Sequence, residues 1–245
     1  MKLSIKSTVM PWFPLLAGGI GMALRFWLFS LRDAKGLLPA GHAADILCYI
    51  LLALVLAGVY LASGKLPALK KYRQMFPGSI LRAVGCWLGA VGCLCNLGGD
   101  ATGAFRFICL FLGILSAFMF CVLGYCRLRQ IRPTALLYAI ITVYLMFYGV
   151  TQVRAWSNES QLTVYLFPLL AIIFLMLTAF THACLAIREG TRRNFVFYNQ
   201  CALFCCCLAV PGEKAVFFLC MGAWLALDLC ALRTPRSRAQ LEESL

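Results

Sequence analysis

The sequence predicts an all-α polytopic membrane protein, a bundle of about eight transmembrane helices with both ends in the cytoplasm. Three observations carry that expectation. Of 245 residues, 62% are hydrophobic and 13% charged, where soluble domains run near half and a quarter. The apolar residues gather into eight stretches of roughly 20, the length that crosses about 30 Å of hydrocarbon. The basic residues fall on alternate connections, the bias that sets membrane orientation. The stretches are too long and too evenly apolar for barrel strands.

The predicted spans are 11–31, 44–63, 80–98, 105–126, 134–153, 161–187, 194–210 and 215–232. No polar stretch is long enough for a soluble domain, so 1–245 reads as a single transmembrane domain. Lys2 and Lys6 give the first span a basic start. Its apolar run is too long for a signal-peptide core and no A-x-A-like site follows it, so it is expected to be retained. Pro168 falls inside the sixth span and is expected to kink it. The last two spans are separated only by Pro211-Gly212-Glu213-Lys214, a turn signal. They read as one hydrophobic hairpin, with a re-entrant element as the alternative.

The net charge of +13 is mainly a topology signal. With the N-terminus inside, 16 Lys and Arg fall on inner segments and 5 on outer ones, namely Arg32, Lys35, Arg106, Arg154 and Lys214. The expected partners are therefore the bilayer and the anionic lipid headgroups of its cytoplasmic face. A small-molecule ligand is allowed for, and no nucleic acid is expected. Compactness and short loops suggest a bacterial inner (cell) membrane. Trp12, Tyr72 and Tyr198 at the inner edge, with Trp27 and Trp156 at the outer, suit aromatic belts.

Small residues suggest close helix packing. Gly85 and Gly89 form a G-x-x-x-G in the third span, and Ala17 with Gly21 a related pair in the first. Packing within the chain is the expected use. A weak echo between Gly99-Asp100 and Gly212-Glu213, each followed by a Phe-rich stretch, raises a four-span parallel repeat.

The fourteen cysteines lie within or at the edge of apolar spans and include no Cys-x-x-Cys pair. They read as small hydrophobes, so no metal and no cofactor is expected. His42 and His182 are assigned to opposite faces and cannot share one metal or haem. Ser116 with His182 lacks the glycine that a serine nucleophile of this type needs, since Ile114 stands there. Asp100 and Asp228 lie toward opposite faces, which argues against a paired-aspartate protease. Asn158-Glu159-Ser160 forms a glycosylation sequon close to two spans.

Ionisable groups inside a span cost about 2.5–3.5 kcal/mol each at the bilayer centre and are functional candidates for that reason. Arg25 is the foremost, facing an anionic substrate, a headgroup, or a carboxylate such as Asp45 or Asp100. Asp228 is second. It sits near a helix C-terminus, where the dipole opposes an acid, so it needs a partner, with Arg233, Arg192, His182 and Asn199 at its depth. Asn96, Asp100 and Arg106 group at the outer end of spans three and four. The substrate-binding candidates are thus Arg25, Asn96, Asp100 and Asp228. Three function classes follow: a small-molecule transporter or permease-like protein, a membrane-embedded enzyme acting on a lipid or other amphiphile, and a non-catalytic scaffold or accessory subunit. Transport leads on frequency among multi-span proteins that lack soluble domains.

Overall fold

The structure, a computed structural model, describes residues 12–32, 42–64, 79–97, 104–157 and 162–232. Within them the chain forms eight α-helices and one short 3-10 helix, and no strand. The helices are α1 (Trp12–Ser30), α2 (Ala43–Gly64), α3 (Ile80–Cys95), α4 (Ala104–Leu128), α5 (Ala135–Trp156), α6 (Leu166–Ala186), α7 (Arg192–Ala209) and α8 (Ala215–Cys230). The 3-10 turn, Leu162–Tyr165, leads into α6. Five helices, all but α3, α7 and α8, are long and apolar enough to cross a membrane. Large apolar side chains point outward along them, among them Leu16, Phe26, Leu54, Phe111, Phe118 and Val150. Lipid, not water, is the solvent such a surface suits.

Helices α3 to α8 close into a six-membered ring: each packs on the next, and α8 packs back on α3. Helix α1 packs on α7, and α2 lies against both α1 and α7. The chain runs up and down through the bundle. The first end collects the starts of α3, α5 and α7 with the ends of α2, α4, α6 and α8; the second end collects the reverse. Helix α7 is the hub, with 13 of its 18 residues buried. This explains how it carries Asn199, Gln200 and two arginines: protein covers it, so it need not be as apolar as a lipid-facing helix. The last two spans are separate antiparallel helices joined by a turn at 210–214. The packing does not repeat after four helices, because α6 packs on α7 whereas α2 has no comparable contact with α3.

Glycines set the close approaches, all within the chain. A Cβ on Gly85 would lie 3.3–3.4 Å from the Trp224 backbone, and one on Gly92 would meet Cys220 Cβ at 2.9 Å, so both admit α8. Gly89 instead receives the Phe120 ring of α4. In α1 it is Gly18, against Cys207, and Gly21, against Leu208, that admit α7.

Two expectations need correction. Pro168 is the third residue of α6, not an interior one. A first-turn proline removes an N–H that has no intrahelical acceptor anyway, so it helps start α6 after the 3-10 turn and does not kink it. Trp156 does not stand in an outer belt. It is 9% exposed and stacks on Tyr165 at 4.7 Å between centroids. Tyr72 and the 158–160 sequon lie outside the described residues.

Candidate functional site

Two polar sites lie at opposite ends of the bundle. The first is inside the ring, about one turn from the first end. Asp228 is in the last turn of α8, where exposed carbonyls repel a carboxylate. Two basic side chains from other helices face it. Arg82, in the first turn of α3, donates from Nε to Asp228 Oδ1 at 2.6 Å. His182, in the last turns of α6, places Nε2 3.0 Å from Asp228 Oδ2. All three are essentially inaccessible, at 0–1%.

An aromatic setting fixes the imidazole. Tyr138 of α5 stacks on it at 4.8 Å and 6°, and Trp224 of α8 at 5.7 Å and 25°. Phe195 of α7 meets its edge at 4.7 Å. The Tyr138 hydroxyl in turn accepts from Arg127 Nη2 at the end of α4. All six ring helices therefore contribute a side chain. One turn beyond Phe195 on α7 stands Asn199, fully buried, with no hydrogen-bond partner for either amide atom among the described residues.

Chemically, a carboxylate on one imidazole nitrogen fixes the tautomer and stabilises the imidazolium. With Nε2 facing Asp228 Oδ2 at 3.0 Å, Nδ1 is the ring nitrogen turned away from the carboxylate. Ser116 Oγ is buried in α4 and has no hydrogen-bond partner among the described residues, so it is not bonded to His182.

The second site centres on Arg25, about 7 Å inside the second end at 1.5 Å per residue. The side chain does not snorkel outward, being 2% exposed. Its two terminal nitrogens donate to the carbonyls of Leu208 and Val164, each at 3.0 Å. The guanidinium also lies over the rings of Phe167 (4.7 Å) and Phe29 (5.1 Å). Among the described residues no carboxylate forms an ion pair with it. It walls a cavity of about 270 Å³ that also touches Gln152, Trp156, Tyr165 and Phe218 and reaches Arg32, Glu213 and Lys214 at the bundle end.

Asn96 belongs to a third, smaller feature. Its amide donates to the Tyr144 hydroxyl at 3.3 Å. With Arg106, Thr151 and Gln152 it lines a space of about 20 Å³, enough for about one water. Gln152 borders both this space and the Arg25 cavity.

Of the four residues singled out from sequence, Arg25 and Asp228 thus occupy separate sites, Asn96 is linked to the Arg25 cavity only through Gln152, and Asp100 lies outside the described residues. Asp228 does have His182 as a partner. Its other partner, Arg82, is one of the 16 basic residues that the charge pattern places on inner segments, as is Arg127. Tyr138 and Gln152 carried no signal that separates them from ordinary span residues. No family model matches the chain, and neither does any curated protein or solved structure.

Proposed function

We propose that this multi-pass membrane protein is an enzyme that hydrolyses an amphiphile, with His182 as general base and Asp228 as the group that orients it. The observation that carries this reading is the His182–Asp228 pair, 3.0 Å apart inside the helix ring. A bundle in lipid does not need such a cluster for stability, because well-packed apolar residues often serve as well as a buried ion pair. Intramembrane ionisable groups with named partners point to function, and a carboxylate–imidazole pair is the arrangement of an oriented base.

The step balances without a covalent enzyme intermediate. His182 Nδ1 takes a proton from water while the water oxygen bonds to the acyl or phosphoryl centre. The bond from that centre to the leaving oxygen breaks, and the imidazolium returns the proton to that oxygen. Negative charge that develops on the attacked group is met by the Tyr138 hydroxyl and the Arg127 guanidinium. The Asn199 amide is available to hold a polar group of the substrate. A site one turn inside the bundle, with apolar side chains exposed on the outer faces of α3 to α6 and α8, suits a substrate that arrives from the bilayer. The positive-inside pattern assigns this end to the cytoplasm.

Turnover of lysophospholipids, diacyl phospholipids and simple fatty esters in nanodiscs, read by mass spectrometry, tests the proposal. Wild type should release product, and His182→Gln should lose about 100-fold or more. Turnover of none of these by wild type, or an undiminished rate in His182→Gln, overturns it.

A second reading has its own observation. Two polar sites at opposite ends of one bundle fit a carrier that binds an organic anion at Arg25 and handles protons at His182 and Asp228. Protein-dependent uptake of an organic anion into proteoliposomes, with no hydrolysis, would favour it over the enzyme.

A further inference from the structure

We infer that the Arg25 cavity is a binding site for an amphiphilic organic anion, whose phosphate or carboxylate meets Arg25 and whose apolar part lies on the aromatic wall. This site is separate from the His182–Asp228 pair and stands or falls independently of the hydrolase reading.

The argument begins with the cost of the cation. A guanidinium kept at 2% exposure in an apolar bundle has lost nearly all its hydration. Two carbonyls and two ring faces compensate it in part, but they leave a full positive charge. Its Nε has no hydrogen-bond partner among the described residues. Arginine's planar fork suits phosphate and carboxylate better than any other side chain does. A brace from α1 to α7 and to the 3-10 turn would need only the two carbonyl bonds. It would not need a cavity of about 270 Å³ beside the guanidinium.

The rest of the wall agrees with an amphiphile. Gln152 is 1% exposed and its Oε1 has no partner among the described residues, which suits a hydroxyl or amide of the ligand. Trp156, Tyr165 and Phe218 supply apolar surface. Arg32 and Lys214, against Glu213, make the end of the cavity net basic. The volume suits a headgroup-sized body and not a buried acyl chain.

The same chemistry is offered by a lipid headgroup and by a water-soluble anion. Three probes separate the sources: inorganic phosphate, phenyl phosphate and dodecyl phosphate, each titrated onto the detergent-purified protein with thermal unfolding as readout. A saturable rise in Tm with phenyl phosphate assigns a soluble ligand, and a rise with dodecyl phosphate alone assigns a lipid headgroup. Arg25→Gln, which retains donors for the carbonyls, should weaken binding about tenfold or more. Val164→Phe leaves the guanidinium intact and keeps the 164 carbonyl, and by filling the cavity it should abolish the rise. An equal rise in wild type and both variants overturns the inference, as does no rise with any probe.

Discussion

Arg82 Nε lies 2.6 Å from Asp228 Oδ1, and this bond joins α3 to α8, the contact that closes the helix ring. The two residues are 146 positions apart. Removing one partner leaves the other charged and buried, a loss of about 3–5 kcal/mol. Arg82→Met is therefore expected to lower unfolding stability by that order in a mild-detergent titration. The double variant Arg82→Met/Asp228→Leu should recover much of the loss, since it removes both charges. A double variant less stable than either single one would show that the pair contributes net stabilisation beyond mutual neutralisation.

Adjacent glycines in α1 give an opposed pair of outcomes. A Cβ on Gly18 would meet Cys207 Cβ at 2.8 Å and Sγ at 2.9 Å, whereas a Cβ on Gly19 finds nothing within 4 Å. Gly18→Ala must push α1 off the hub helix and is expected to cost about 1–3 kcal/mol. Gly19→Ala should be neutral or stabilising by about 0.5–1 kcal/mol, because alanine loses less backbone freedom in a helix. Thermal melts of the two variants side by side check this, and equal melts would refute the packing of α1 on α7.

The fold was legible because hydrophobic run length is a one-dimensional property. Each observed helix falls within a few residues of its predicted span, and the tight turn at 210–214 follows its Pro-Gly signal. Arg25 and Asp228 were legible for the same reason: a charge inside an apolar run stands out with no knowledge of its neighbours. What failed needed rotation about the helix axis or contact between distant helices. Trp156 had the right depth for an interfacial belt, but its face turns inward to Tyr165. Arg82 and Arg127 sit in terminal turns, where a snorkelling side chain and a buried one have the same sequence. Only ring closure brings Arg82 to Asp228, and only the pairing of α4 with α5 brings Arg127 to Tyr138.

Tyr138 separates a catalytic cluster from a structural one. Its ring stacks on His182 while its hydroxyl accepts from Arg127. Tyr138→Phe keeps the ring and hence the stacking that orients the imidazole, but removes the hydroxyl. A purely structural cluster would lose about 1 kcal/mol of stability for one missing hydrogen bond. If the hydroxyl donates to charge that develops on the attacked group, kcat should fall by about 10²–10³ with KM little changed, as when one such donor is deleted elsewhere. The split between kcat and KM is the decisive readout. A Tyr138→Phe variant with wild-type kcat would restrict Tyr138 to holding the imidazole and would leave Arg127 to meet the developing charge alone.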